Sequence, residues 1–568
     1  MAGMTKEEVE QAVERLENKK TRRQLFETTW EEIRNYMLPN RPSFNTKEPL
    51  GSKTMQHIFD GTAIDAINVC KAGINGMLTN AALPWHGIEL EDEKLNQVTE
   101  AQEALQEVNE VMAREYHRSN FYTNIDGVYE EVIGFGESCL FIGEGKYTAL
   151  NFLPIPLKEL FTDENEEGTV DTVFRSFSMT ARQCAQKWGT EKLTNQMKEA
   201  LKQTGGNLDK EFEILHYVHP RSDREIDLST AQYKQDAQNK LYLSAYIDVD
   251  SKTILDEGGY DEFPFSVPRL FLMSGDDYGR GMGWNALPDV KMLNTMEKYG
   301  IRGWQKAVDP PITAPDEGFS MPIKTFPGGV TYNSRWREQG SEVKPLYGPN
   351  HSVMLPNYEN KCEQKREQIR EFFFYKQFRT QQQGQPRTAQ EIIQIASENL
   401  KILGPLLNRF QEELLKPIIL RSFQILFRAQ MFPKLYAFLR SSGRQVKFKI
   451  VYLSPIAKAQ RLYEAQELQN AFGMLLPAYQ IMPELLDPVD PDKLYSEVVK
   501  LYPAMRNVTR KENDVKKLRS DRAAKAAAAN AQMTLANAAA TAKTASEADP
   551  NAGILGQLTG TYGAPVNG

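Results

Sequence analysis

YGRGMGWNALPDVKMLNTMEKYGIRGWQKAVDPP, Tyr278 to Pro311, is a glycine cluster that runs into a helix and is stopped by two prolines. Leu287, Val290, Leu293 and Met296 recur at spacings of three or four, the period of one helical face, which predicts a helix over Asn285–Val308. Pro310 and Pro311 lack an N–H and restrict the residue before them, so the helix ends there. Gly300 and Gly303, on its later turns, would let a neighbouring rod pack closely. Ile312 to Leu355 is a Gly- and Pro-rich insert. A second helix reads from Asn357 to about Phe378, with Lys361, Glu363, Lys365, Arg366, Glu367 and Arg370 charging it almost all round. Such mixed signs suit pairing with neighbouring copies, and an ordinary solvated face is the plainer alternative. The polar run Arg379 to Pro386 follows, and a capping box at Thr388 and Glu391 then opens a long helix.

Upstream, the character of the chain changes at Gly134. Thr5 and Glu8 form a capping box, and Val9, Val13, Leu16, Phe26, Trp30, Ile33 and Met37 continue one helical pattern until Pro39. Inside it, Lys19-Lys20-Thr21-Arg22-Arg23 reads as a solvated face, with a phosphate-binding patch as the sharper alternative. A helix after Asp60-Gly61-Thr62 turns Ile64, Ile67, Ile74 and Leu78 inward, and its Gly73 and Gly76 would admit a close neighbour. Thr99–His117 and Tyr122–Ile133 complete a helical layer. Strands are expected over Ser138–Ile142, Leu150–Ile155, Val170–Ser178, Glu211–Val218, Lys240–Val249 and Phe265–Met273. A turn falls at Asp163–Gly168 and short helices at Thr180–Trp188 and Glu191–Lys202. Further on come an apolar-faced helix bent at Gly404-Pro405 and Pro417, a strand over Val446–Leu453, and helices over Ala457–Leu476 and Pro491–Leu501. The alanine-rich Asp521–Ala545 favours helix but buries little surface alone, so a frayed tail is its alternative. The fold class is α+β, mainly helical.

The 568 residues predict about three to four domains on length alone. Hydrophobic residues at 41% and charged residues at 25% suit a soluble globular chain, and no apolar run approaches the ~20 residues a bilayer requires. Met1 to Glu8 lack the hydrophobic core of a signal peptide, so synthesis in a cytoplasm is expected. Cys70, Cys139, Cys184 and Cys362 are too widely spaced for a CxxC site and read as buried thiols. A net charge of -7 argues against gripping nucleic acid tightly by counterion release. A mildly acidic wall would instead let a duplex slide.

Chemistry-bearing motifs are weak. Gly51-Ser52-Lys53-Thr54 lacks the upstream glycine of a phosphate cradle, and Gly279-Arg280-Gly281-Met282-Gly283 does not have GxGxxG spacing, so both read as turns. His216 and His219 lie three apart on a strand, on opposite faces, which makes a poor metal clamp. Asp276-Asp277 suits local hydrogen bonding as well as a cation. No catalytic, cofactor or metal residues are assigned, and an ATPase or nuclease is the disfavoured alternative function.

Five stretches carry a resemblance. They are Ile58-Phe59-Asp60-Gly61-Thr62-Ala63, Leu78-Thr79-Asn80 into Leu83-Pro84-Trp85, Gly134-Phe135-Gly136-Glu137-Ser138-Cys139-Leu140, Tyr278-Gly279-Arg280-Gly281, and Leu453 to Gln460. In this order, over most of the chain, they resemble the portal proteins, or head-to-tail connectors, of short-tailed bacteriophages. The resemblance implies a ring of about twelve copies around a channel for double-stranded DNA at one capsid vertex, a closed heterologous assembly. It implies a wing over 1–280, stem helices at 281–310 and 357–379, a clip at 311–356 and a channel loop at 380–387. A long helix returning to the wing would span 388–500, crown helices 501–548, and a disordered tail 549–568. The channel loop would present Lys376, Arg379, Gln382, Gly384 and Arg387 to DNA. The clip would use Arg335, Trp336, Arg337 and Tyr347 to dock the motor and tail. Implied partners are the chain's own copies, non-specific duplex DNA, the terminase large subunit, capsid and scaffold proteins and a tail adaptor, with no membrane and no cofactor. The implied location is the virion, and the host cytoplasm during assembly.

Overall fold

The computed structural model describes residues 4–49, 51–96, 98–202, 208–221, 240–308, 312–313, 332, 344–345, 351–379, 402–442, 447–453 and 512–548, with isolated positions between 470 and 498. The chain divides into two compact units, Met1–Gln460 and Arg461–Gly568, fewer than its length suggests.

The first unit opens with α1 (Lys6–Met37), whose Thr5 and Glu8 cap each other as expected. α2 (Thr62–Leu78), β1 (His86–Leu90), α3 (Glu93–Asn96), α4 (Thr99–Arg118) and α5 (Phe121–Gly134) follow. Next come β2 (Cys139–Glu144), β3 (Leu150–Ile155), β4 (Leu160–Glu164), β5 (Val170–Thr180), α6 (Ala181–Trp188) and α7 (Asn195–Lys202). β6 (Glu211–Pro220), β7 (Tyr242–Asp248), β8 (Thr253–Tyr260) and β9 (Phe265–Ser266) lead to α8 (Met282–Val308). The paired dipeptides β10 (Ile312–Thr313) and β11 (Lys344–Pro345) precede α9 (His351–Phe372) and α10 (Tyr375–Arg379). A helix at 402–410 runs through a π-helical turn, Gln411–Leu415, into α11 (Lys416–Arg428), then α12 (Pro433–Ser442) and β12 (Phe448–Tyr452). In the second unit α13 (Glu512–Ala548) is helical, as its alanines favour, and its residues from 516 to 541 are exposed.

β4 to β8 form an antiparallel meander whose faces are covered by different helices. Alternation along β6 decides which: Phe212 and Ile214 join Cys184, Trp188 and Met197 of α6 and α7, whereas Leu215 and Tyr217 join Val9, Val13 and Leu16 of α1. The C-terminal half of α1 enters the main core, where Trp30 and Ile33 cluster with Ile67, Ile74, Met112, Val132 and Phe410.

Several expectations are corrected. Of the run Lys19 to Arg23, Thr21 and Arg22 are exposed as a solvated face would have them, but Lys19, Lys20 and Arg23 turn to partners within the fold. Lys19 pairs with Asp163 and Asp277, and Lys20 pairs with Glu213. Arg23, 3% exposed, donates to the carbonyls of Leu157, Lys158 and Leu160 and lies 3.7 Å over the Phe161 ring. Tertiary partners placed over 130 residues away turned a charged face inward. Of Phe265–Met273 only Phe265 and Ser266 pair as a strand, because Pro264 and Pro268 interrupt the donors a ladder needs. β1, β4 and β8 went unread because each is short or rich in polar residues. α8 begins three residues earlier than expected and continues through Pro288, and α9 begins at His351 and continues through Pro356. Both prolines lie past the first turn of their helices, so each removes one ladder bond that the helix continues without. The bend expected at Pro417 is the π-helical turn, and the carbonyls of Glu413 and Leu414 there accept from the Ser266 hydroxyl. The expected helices at Ala457–Leu476 and Pro491–Leu501, apart from isolated helical positions in each, and the tail 549–568 lie outside the described residues.

α8 is set by backbone meeting backbone. A Cβ on Gly281 would stand 2.6 Å from the Gly134 carbonyl oxygen, and one on Gly279 2.5 Å from that of Gly136. Gly136 has φ +109, and its Cβ would fall on the Arg280–Gly281 peptide. The closeness lets Leu270 N donate to Gly136 O at 2.8 Å and Gly281 N to Phe135 O at 3.2 Å. Trp30 and Trp284 add their indole N–H groups to that same Phe135 carbonyl, at 3.3 and 2.8 Å. Gly136→Ala is therefore expected to cost about 3 kcal/mol or more of stability, from strain plus collision. Gly258→Ala, in β8 with open space at the Cβ position, should stay within about 1 kcal/mol. Thermal midpoints of the two variants check this, and equal shifts would refute it.

Candidate functional site

α8 and α9 lie antiparallel, and two cations of α9, Lys365 and Arg366, pair with carboxylates of α8, while Glu363 pairs with Arg366 and Arg370 within α9 itself. Cys362 and Ile369 are buried on its inner stripe, flanked by half-buried Lys365, Arg366 and Arg370. Arg366 reaches Asp60 at 2.9 Å and Glu297 at 2.5 Å, so one guanidinium ties the loop before α2, α8 and α9 together. Lys365 meets Asp289 at 2.8 Å. The Tyr358 hydroxyl donates to Met296 O, and its ring edge fills the space beside Gly300. The close approach expected of Gly300 is thus made within the chain, while Gly303 has open space. Beyond Glu297, Tyr299, Ile301 and Trp304 are 61%, 43% and 46% exposed. Burial disfavours the Asp60 carboxylate, but hydrogen bonds from Thr62 and Arg366 outweigh it and hold its pKa below the ordinary value.

A second charge cluster sits where the glycine segments interlock. Glu137 is fully buried, its Oε2 accepts from Gly279 N at 3.1 Å, and its Oε1 has no hydrogen-bond partner. Arg269 beside it is bound to Glu164 and to Gly168 O at 2.9 Å, and its backbone N–H donates to Glu413 at 2.7 Å. Burial pushes the Glu137 carboxyl up to about 7, against the opposing pull of the Gly279 N–H and Arg269.

Of the residues expected to contact DNA, Lys376 and Arg379 are described, both exposed on α10. Lys376 pairs with Glu371 at 3.4 Å, and Arg379 donates to the Tyr375 hydroxyl. Gln382, Gly384 and Arg387, and Arg335, Trp336, Arg337 and Tyr347 of the insert, lie outside the described residues. His216 is buried, stacked 4.2 Å from Tyr246 and bonded to Ser244 at 2.9 Å, while His219 points elsewhere and meets Pro220 O. Asp276 pairs with Arg280, and Asp277 with Lys19 and Arg22. Among the described residues no cluster of His, Cys, Asp and Glu could hold a metal, and no helix is long and apolar enough to cross a membrane. The four cysteines are buried and free. The α8–α9 brace was missed in the sequence because one of its partners, Asp60, lies far from Arg366 along the chain and the other, Glu297, sits on a different helix.

Two outcomes follow. Arg366→Met keeps the apolar stem but strands Asp60 and Glu297, so it should cost about 2 kcal/mol, less than for fully buried pairs. Denaturant titration reads that cost. For Glu137, the folded pKa lies above the ordinary 4.5, so the folded state holds the proton longer and stability falls as pH rises from about 4.5 through about 7. Glu137→Gln should match the parent near pH 5 and exceed it near pH 8 by up to about 3 kcal/mol. A variant less stable at both pH values would contradict this.

Comparison with known proteins places this architecture. The family described as bacteriophage head to tail connecting protein matches residues 9–509. The portal protein of Salmonella phage epsilon15 is 28% identical over 573 residues, covering 99% of this chain and all of its own. The probable portal protein of Bordetella phage BPP-1 is 26% identical over 494 residues, 86% of each chain. Among solved structures, a chain from the neck of an empty GTA particle aligns with TM-score 0.34 and 12% identity, covering 74% of this chain and 90% of that one. A chain from the virion of a native gene transfer agent aligns at 0.32 and 11%, over 78% and 89%. The match runs unbroken from α1 past β12, through both interlocked glycine segments and the α8–α9 pair: the chain belongs to the bacteriophage head to tail connecting protein family.

Proposed function

We propose that the chain is a portal subunit whose copies close into a ring of about twelve at one vertex of the capsid, where the bore passes double-stranded DNA during packaging and ejection. The observation that carries this is the family match over residues 9–509. The role is structural rather than catalytic, and the energy for translocation comes from a partner, the terminase motor.

Within this reading, 1–280 is the wing facing capsid and scaffold proteins, 281–310 and 357–379 are stem helices, and 311–356 is the clip. Arg335, Trp336, Arg337 and Tyr347 of the clip dock the motor and later the tail adaptor. Residues 380–387 form the channel loop, 388–500 return to the wing, and 501–548 build the crown. Lys376, Arg379, Gln382, Gly384 and Arg387 touch phosphates without reading sequence. A closed ring needs two different complementary surfaces on each subunit, and exposed Tyr299, Ile301 and Trp304 on α8 suit one of them. The net charge of -7 supports passage without adhesion.

Negative-stain imaging of purified protein is expected to show rings with a central hole, and a protein that stays monomeric under every assembly condition would overturn the reading. Deleting residues 380–385 should leave rings intact while reducing packaged or retained DNA. Trp304→Glu should weaken ring closure without changing the subunit's thermal midpoint by more than about a degree or two, because the side chain is half exposed in the single subunit.

A further inference from the structure

The chain leaves α9 abruptly. Phe374, a non-glycine residue, has φ +54, a backbone strain of about 1–3 kcal/mol that persists only where the surroundings enforce it. The enforcement comes from α2. Gly73 on that helix leaves a notch, and the Phe378 ring occupies it so fully that a Cβ on Gly73 would stand 2.0 Å from the ring's Cδ1. One turn earlier, the Tyr375 hydroxyl donates to Asp65 Oδ2 at 3.0 Å while accepting from Arg379. The guanidinium groups of Arg370 and Arg379 lie 5.7 and 5.4 Å from the Tyr375 ring centre. Phe373 and Tyr375 are buried, whereas Lys376 and Arg379 are exposed. Five residues of helix cannot hold themselves, because so short a helix does not repay its nucleation. The seat on α2 is therefore what fixes α10.

We infer that Gly73 and Asp65 of α2 are positioning residues which, acting through Phe378 and Tyr375, hold Lys376 and Arg379 in one fixed presentation toward duplex DNA phosphates. The inference rests on the DNA-conduit reading. It adds that the basic pair is pre-set by a helix distant in sequence rather than by its own loop. Pre-setting matters because long basic side chains on an unanchored turn would lose conformational entropy at each phosphate contact.

The test uses the full-length ring. All four native cysteines are buried, so Lys376→Cys accepts a thiol-reactive spin label selectively. In that background Tyr375→Phe and Gly73→Ala should each raise label mobility several-fold while rings form normally. Without the label, particles assembled with Tyr375→Phe or Gly73→Ala should hold several-fold less nuclease-protected DNA. Asp65→Asn, a milder change at an exposed position, should move both readings in the same direction and guards against misfolding of the other two. Label mobility equal to the parent in all three variants overturns the inference, as does loosened label with undiminished DNA. Failure of the conduit reading looks different: the unsubstituted protein would then form no ring or no DNA-filled particle.

Discussion

Everything in the first unit hangs on one close contact, the packing of Gly134-Phe135-Gly136 against Gly279-Arg280-Gly281. Side chains are absent where the two backbones touch, so hydrogen bonds and carbonyl contacts replace side-chain packing and fix relative position tightly. The contact joins the end of α5, the start of β2, the strand-like segment after β9 and the first turn of α8. Two indoles, from α1 and α8, converge on its buried carbonyl, Phe135 O. α8 therefore leaves the body in a direction that the body's own backbone dictates, and α9, braced to α8, inherits it.

The second constraint is electrostatic. This is an acidic chain that spends many of its cations internally. Arg23, Arg269 and Arg421 are buried beyond 90%, and Arg41 and Arg366 each answer two or more acceptors. Each brace joins elements far apart in sequence, as Arg23 does for α1 and the turn before β4, and Arg421 for α11 and Glu262 after β8. Guanidinium groups suit this work because their planar forks satisfy several carbonyls or carboxylates at once. The consequence is structural: arginines held inside the fold join elements distant in sequence and are not surface charges.

Much of the fold was legible in the sequence. Helical periodicity and capping boxes located α1, α2, α4, α5 and α8, and alternation with turn residues located β2, β3, β5, β6 and β7, because those signals are local and the structure keeps them. β1, which is short, and β8, which is rich in acidic residues and glycine, were not legible: each takes its ladder from a partner strand, β12 from over 350 residues away in the first case. The candidate site was legible in part. The motif glycines and the two long helices stood out, but their meaning as an interlock and a braced pair did not, since a glycine looks the same whether it makes a turn or admits a backbone.

By itself, then, the sequence determined that long helices flank a strand-rich part, that the thiols are buried, and that motifs at 58–63, 134–140 and 278–281 belong to one family pattern. The tertiary structure alone decided what the charges do. A lysine or arginine on a helical face reads as solvated until its partner is known, and the partners of Lys19, Arg23 and Arg366 lie tens to hundreds of residues away. Coulomb attraction and hydrogen bonding act through space, while periodicity acts along the chain, and only folding brings the two into register.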